Sequence, residues 1–415
     1  MINIAIMGHG VVGTGVVEVI RKNRDSIERR AGERIRIKYI LDLRDFPDLP
    51  YSDRFIKDFA LIENDSDISI VVECMGGLDI AYDFVKRSLL SGKSVVTSNK
   101  ELIAERGHEL IAIAKAQNLN LLFEASVGGG IPIIRPLSQC MAANEVSEIA
   151  GILNGTTNYI LTKMIRESYS FEEALQKAQA HGYAEADPTA DVDGHDACRK
   201  ICILASLAFG KHIYPREVHT EGIRDVTLQD VAYCSAWGGA IKLLGVAKKQ
   251  EDGKLLINVA PYFIPIINQM SSIDDVFNGI MVRGDATGDV VFYGRGAGKL
   301  PTASAVVADV IDCVKHISAR KYLYWEDAEE NMVADYTGEQ TAMYIRICGG
   351  DEEMLRNAVE EIYGACKRLA PKSGYPANEA AFVTPVTSVK NHNEAQEILS
   401  QQGFNVINRI RIFAD

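Results

Sequence analysis

Residues 2–13 read Ile2-Asn3-Ile4-Ala5-Ile6-Met7-Gly8-His9-Gly10-Val11-Val12-Gly13, and the fold is decided there. Six mostly apolar residues with no alternation suit a strand buried on both faces of a parallel sheet. The strict GxGxxG of Gly8, Gly10 and Gly13 follows at once, and Val16, Val17, Val19 and Ile20 then repeat at helical spacing. Each glycine has a physical task. The first makes a tight turn, the second lets backbone approach a pyrophosphate, and the third lets helix and strand pack closely. The helix start offers free N–H groups and a positive dipole end to phosphate. A lone GxGxxG is weak, but between a strand and a helix it points to a dinucleotide, with Gly8, Gly10, Val11, Val12 and Gly13 as cofactor-binding residues. His9, inside the loop, is expected to face solvent and to take no part in chemistry.

The alternation continues outward. After a charged connection (Arg21–Arg34), IRIKYIL forms a second strand ending at Asp42. That carboxylate could take the ribose hydroxyls of NAD, whereas Arg44 could answer the 2′-phosphate of NADP, and both cofactors stay open. ISIVVEC (68–74) is a strand, Met75-Gly76-Gly77 opens a helix, and SVVTSNK (94–100) is a strand with a polar tip. A helix over 101–117 and the strand NLLFEAS (120–126) complete the series. Ligands of such α/β sheets gather beyond the carboxyl ends of the strands, which singles out Thr97 and Lys100; a plain surface lysine before a helix is the competing reading of Lys100.

A chain of 415 residues exceeds one core, so two or three domains are expected. A net charge of −12 argues against nucleic acid, whose phosphates require a basic face. No apolar run approaches the roughly 20 residues of a membrane span, and the N-terminus lacks a basic signal-peptide region. The eight cysteines show no framework spacing. Cys198 and Cys202, one helical turn apart, read as small core residues before they read as a metal pair. A reducing, cytoplasmic location is expected.

In the second half, Glu124-Ala125-Ser126-Val127-Gly128-Gly129-Gly130-Ile131-Pro132 leaves the sheet through three glycines. They read first as a hinge, and second as a turn exposing carbonyls to a hard cation. Asn154, Thr156, Thr157 and Asn158 crowd the turn of EIAGILNGTTNYILTKM (148–164), suited to a carboxylate or to helix capping. Residues 182–200, GYAEADPTADVDGHDACRK, gather Glu185, Asp187, Asp191, Asp193 and Asp196 near Lys200. Charge alone favours a solvated acidic loop; the alternative is a pocket for a cationic substrate with a lysine placed for proton transfer. Asp196 and Lys200 share one helix face, with Ala197, Ile201, Leu204, Ala205 and Ala208 forming an apolar stripe.

GHGVVG, VVTSNK (95–100), FEASVGGGIP (123–132), GILNGTTNYIL (151–161) and the acidic stretch, in this order over roughly the first 315 residues, resemble homoserine dehydrogenase. YGRGAGKLPTASAVVADVID (293–312) resembles that family's return segment, with Gly298 against the cofactor. The resemblance implies hydride transfer between NAD or NADP and C4 of L-aspartate 4-semialdehyde, interconverting it with L-homoserine. It implies catalytic roles for Lys200 (proton transfer), Lys100 and Asp196, and places Glu185, Asp191 and Lys200 at the substrate. Glu124, Val127, Gly129 and Ile131 match the family's monovalent-cation loop, expected to hold sodium. Asp187 and Asp193 receive no role. A homodimer or homotetramer is implied as well. Two other readings compete: an oxidoreductase of another amino-acid aldehyde or imine, and a non-catalytic NAD(P) sensor, which would have no use for both lysines.

Beyond Ile317, strands near 342–350, 379–388 and 404–413 and helices over 351–366 and 391–402 suggest β-α-β-α-β, with room for a missed strand within 367–378. This resembles an ACT domain, a ferredoxin-like module that binds amino-acid effectors. It departs from that pattern at Gly349-Gly350-Asp351-Glu352-Glu353, where the usual Pro-Gly turn is missing, so a structural or dimerising tail competes with an effector site. The expected architecture is α/β: a Rossmann-type domain over 1–130 plus about 295–320, an α+β catalytic and dimerisation domain over 131–294, and an ACT-like domain over 338–415.

Overall fold

The computed structural model describes residues 1–319, 323, 325–328, 332–371, 376 and 378–413. The chain divides into two compact units: Met1–Val146 with Arg199–Pro215 and Val282–Glu330, and Ser147–Cys198 with Arg216–Met281 and Asn331–Asp415. Of the stretch 131–294, residues 131–146, 199–215 (with Lys200) and 282–294 thus fall in the first unit, and the remainder in the second.

The first unit is built on a six-stranded, wholly parallel sheet. Its spatial order is Phe55–Ile56, Ile35–Leu41, Ile2–Met7, Ile68–Glu73, Ser94–Thr97, Leu121–Leu122. Ile4, Ala5, Ile6 and Met7 are fully buried, as an apolar run at the centre of a doubly wound sheet must be. The chain reverses direction of travel between Ile2–Met7 and Ile68–Glu73, and a crevice at the carboxyl ends of those strands is where such sheets take a dinucleotide. The long connection after the first helix, Val11–Lys22, contains a second helix, Arg24–Ala31, which accounts for the wide spacing between the glycines and Asp42. Helix Lys299–Lys315 returns to lie on Val11–Lys22, and the contact is so close that a Cβ on Gly15 would meet Lys299 O at 2.8 Å.

Several boundaries differ from the sequence reading. The strand at 94–100 stops at Thr97, and Lys100 opens the next helix, Lys100–Ala116. The strand at 120–126 is only Leu121–Leu122, followed by a single turn, Glu124–Ser126. Met75-Gly76-Gly77 is a loop, with both glycines at positive φ, and the helix begins at Asp79. At the first and last of these boundaries the side chains of Thr97, Asn99 and Glu73 bind local backbone N–H groups and stop the ladder.

The second unit centres on a mixed sheet that runs Val146–Ile152, Gly239–Lys249, Leu255–Pro265, Asn405–Ile412, Met343–Cys348, Glu379–Val383, Lys367–Leu369. Its last four strands, with helices Glu352–Tyr363 and Val389–Gln401, form a β-α-β-β-α-β tail in ferredoxin-like order. Lys367–Leu369 supplies the strand that the sequence pattern left open; 372–375 and 377 lie outside the described residues. Leu355, Val359 and Leu399 on the helices close over Met343, Ile345, Ile347 and Phe382. The tail is not a separate sheet: Tyr262 and Phe263 pair in parallel with Arg411 and Ile412. Among the described residues no helix is long and apolar enough to cross a membrane.

Candidate active site

At the nucleotide end, Gly8 has φ +94°, and Cβ atoms on Gly8 and Gly13 would meet Cys74 O at 2.8 Å and Gly8 O at 2.0 Å. Only glycine fits either place. Nothing lies within 4 Å of a Cβ on Gly10, so this glycine faces open space at the start of a helix that has no side-chain cap. Open N–H groups of Val11 and Val12 at that start are what a pyrophosphate requires. Asp42 accepts from His9 N (2.7 Å) and is clasped by Arg44 through Nε (3.0 Å) and Nη2 (2.9 Å). The Arg44 hydrogen bonds hold the Asp42 carboxyl below its usual range, so it stays ionised. The two residues read as alternatives for NAD and NADP are therefore one ion pair. Gly298, at φ +120°, caps the returning helix beside Val11–Lys22.

His9 corrects the sequence reading. Its ring is buried, boxed edge-on by Phe46, Tyr51 and Phe55, and burial lowers its pKa. A neutral imidazole in an aromatic box props the glycine loop against the segment after Asp42.

Thr97 is also turned inward. It is fully buried, donates to Glu73 Oε2 and accepts from Asn99 N (2.9 Å), so its hydroxyl serves the protein interior and leaves main chain alone for a cofactor. Glu73 was missed from the sequence, although an acid ending an otherwise apolar strand before Gly-Gly was a usable signal. It is fully buried, accepts from Met75 N (2.7 Å) and Gly76 N (3.2 Å), and burial raises its pKa. Asn99 extends the clamp: Nδ2 donates to Gly77 O (2.7 Å), while Oδ1 caps the helix of Lys100 by accepting from Leu102 N (3.1 Å). One residue on, Glu101 pairs with Arg199 (3.0 Å), the neighbour of Lys200. Helix starts carrying Lys100 and Lys200 are thereby joined through adjacent residues.

In the glycine turn, Gly129 has φ +56°, and its Cβ position lies 2.2 Å from Gly296 O; Gly130 N donates to Arg295 O (3.0 Å). The turn lies flush on the return segment. Glu124 is buried and saturated: Oε1 accepts from Ile133 N (2.6 Å) and Ile134 N (2.8 Å), and Oε2 from Arg135 N (3.0 Å) and Nε (3.1 Å). Its carboxylate is thus occupied, and main-chain oxygens are what the loop has to offer a cation. Among the described residues the carbonyls of Val127, Gly129 and Ile131 accept no hydrogen bond, a donor set suited to a hard monovalent ion. Behind the turn, Asp309 accepts from Glu124 N (2.8 Å) and faces Arg135 Nη2 (3.3 Å); burial pushes it up to about 8. None of the eight cysteines forms a disulfide, and no group of three or more His, Cys, Asp or Glu could hold a metal among the described residues.

The acidic stretch separates into three parts. Asn154, the N-cap of helix Gly155–Glu167, accepts from Thr157 N (2.8 Å) and donates from one Nδ2 to both Asp191 Oδ1 (2.7 Å) and Asp196 Oδ2 (2.9 Å). Two carboxylates are thus brought together on a single buried amide. Asp196 opens helix His195–Phe209, which carries Lys200 one turn later, and both side chains are buried. Glu185 stands apart from this bridge: it is exposed, and its carbonyl accepts from Gln179 Nε2 (3.0 Å). Asp187 and Asp193 are structural. Asp187 accepts from Thr189 N (3.1 Å) at the start of a short helix, and Asp193 pairs with Arg224 (2.5 Å).

A doubly wound parallel sheet with a glycine loop and an uncapped helix start defines a dinucleotide-binding unit, that of an NAD(P)-dependent oxidoreductase. The comparisons agree: the family model of the homoserine dehydrogenase NAD-binding domain matches residues 8–124, and that of homoserine dehydrogenase matches 132–311. The homoserine dehydrogenase of Neisseria gonorrhoeae is 43% identical over 321 residues, 77% of this chain and 73% of that protein. A homoserine dehydrogenase structure from Thiobacillus denitrificans superposes with TM-score 0.90 at 35% identity, covering 99% of this chain and 98% of the other. A hyperthermophilic archaeal homoserine dehydrogenase in complex with NADPH gives TM-score 0.64 at 29% identity, covering 75% and 97%. The chain belongs to the homoserine dehydrogenase family.

Proposed function

We propose that this enzyme interconverts L-homoserine and L-aspartate 4-semialdehyde, with Asp191 and Asp196 receiving the substrate ammonium group and Lys200 handling the proton. The observation that carries the reading is the Asn154 bridge. Two carboxylates held on one amide, that of Asp196 one turn before a buried lysine, have too much negative charge for a bland helix start. Bound NAD(P)H supplies the hydride. As the carbonyl carbon accepts it, the aldehyde oxygen gains negative charge, and Lys200 Nζ stabilises that charge and gives its proton to form the alcohol. In the opposite direction Lys200 takes the hydroxyl proton. Lys100 is read as a second cation for the developing oxyanion, kept in place by Asn99 and Glu73. Glu185, on the exposed loop, is read as an outer substrate contact.

Gly8, Gly10, Val11, Val12 and Gly13 would hold the pyrophosphate, with Asp42 toward the ribose and Arg44 beside a 2′-phosphate; NADPH in the archaeal relative supports the latter. The carbonyls of Val127, Gly129 and Ile131, with that of Glu124, are read as a sodium site. Family likeness also supports a homodimer or homotetramer and raises an amino-acid effector for the tail. The test is purified protein with L-homoserine and either NAD or NADP, followed at the nicotinamide absorbance. Turnover with at least one is expected; none with either, in either direction, would overturn the assignment.

A further inference from the structure

Glu221 and Arg411 take no part in that chemistry, yet they join the end of the chain to the acidic cluster. Arg411, on the last strand, is almost fully buried; its Nη1 donates to Glu221 Oε1 (2.7 Å) and its Nε to Glu339 Oε2 (3.0 Å). Glu339 also accepts from Asn258 Nδ2 (3.3 Å), whose Oδ1 accepts from Tyr262 OH (2.7 Å). His219 Nε2 reaches the same Glu221 oxygen (2.7 Å), and its ring stacks on Tyr336 at 3.6 Å. A guanidinium this deeply buried is tolerable only when paired, and removing one of its two carboxylates weakens that compensation.

Glu221 belongs to a segment that wraps the turn Val192–Gly194, the piece of chain between Asp191 and Asp196. Glu221 N donates to Val259 O (2.7 Å) and Ile223 N to Val192 O (2.8 Å). A Cβ on Gly222 would meet Val192 O at 2.3 Å and Asp193 Cα at 2.7 Å, so the two backbones lie flush. Gly194, at φ +84°, sits with its Cβ position 3.1 Å from Glu221 O, and Arg224 pairs with Asp193. From Arg411 to the turn that carries the carboxylates there is thus an unbroken run of ion pair, backbone bond and close packing.

We propose that Glu221 and Arg411 are positioning residues for the amino-acid substrate: through their ion pair the C-terminal strand fixes the turn that keeps Asp191 and Asp196 at the spacing Asn154 bridges. The inference rests on the reading of that carboxylate pair as the ammonium site. It makes the tail a constituent of the substrate unit. A perturbation of the last strand then changes affinity for the amino acid and leaves the nucleotide alone.

The test uses the full-length enzyme as wild type, Glu221→Gln, Arg411→Lys and the double variant. KM for L-homoserine, KM for the nucleotide, kcat per nucleotide-binding site and Tm are measured for each. Glu221→Gln, which keeps an acceptor but removes the negative charge beside Arg411, raises the homoserine KM about tenfold, with nucleotide KM and kcat within about twofold. Arg411→Lys, which keeps the charge but not the fork, raises it less, and the double variant does no worse than Glu221→Gln, since both break one link. A homoserine KM unchanged in either single variant overturns the proposal. So does activity that falls only with the folded fraction, or additive effects in the double variant. Wild-type protein that fails to turn over L-homoserine overturns instead the reading on which it rests.

Discussion

Asn154 shows how much one side chain can decide. Its Oδ1 ends a helix and its Nδ2 holds two carboxylates together, so capping and site assembly cannot be separated by deleting it. Asn154→Ser separates them, because serine still caps a helix but has no amide N–H to give. Its stability should stay within about 1 kcal/mol of wild type, while the homoserine KM rises about tenfold; an unchanged KM would remove the bridge from substrate binding. The sequence already offered both uses for this turn, a carboxylate partner or a cap, but not that its partners are the protein's own aspartates. That fact lies in a contact across 37 and 42 residues, which spacing cannot reveal. His9 failed for a similar reason. A histidine between two glycines reads as exposed, and only the aromatic rings of Phe46, Tyr51 and Phe55 folding over it make it a buried prop.

Among the elements, those with a strong local pattern were legible and those ended by side-chain capping were not. The first strand and its helix follow from an apolar run and three glycines. The strand at 94–97 is cut short by Thr97 and Asn99, which bind backbone and start the next helix, and a propensity pattern carries straight through such a stop. The glycine turn, with Gly129 at φ +56°, was legible as a place needing unusual dihedrals. Its backing by Asp309 on helix Lys299–Lys315 was not, since the partners are 185 residues apart. Asp309 is raised by burial to about 8, whereas in the unfolded chain it titrates near 4. The folded state therefore binds its proton more tightly between those values, and its contribution to stability is full below about pH 4 and lost as pH rises through about 8. Asp309→Asn, which mimics the protonated group, should gain in denaturant midpoint relative to wild type from pH 6 to pH 9. A constant difference across that range would contradict the raised pKa.

At the scale of the whole molecule, the tail is where periodicity was most misleading about independence. Its helices and strands were readable, yet the parallel pairing of Tyr262 with Arg411 merges its sheet with that of the second unit. A two-residue ladder between distant segments leaves no mark in composition. The central proposal is that Lys200, buried and one turn beyond Asp196, moves the proton of a nicotinamide-dependent reaction. The most direct measurement is Lys200→Ala, with homoserine oxidation followed at the nicotinamide absorbance and nucleotide affinity followed by fluorescence. Turnover should fall by about a hundredfold or more with nucleotide Kd within about twofold, the signature of a lost proton-transfer group. A variant that binds nucleotide and retains most of the wild-type rate would contradict the account.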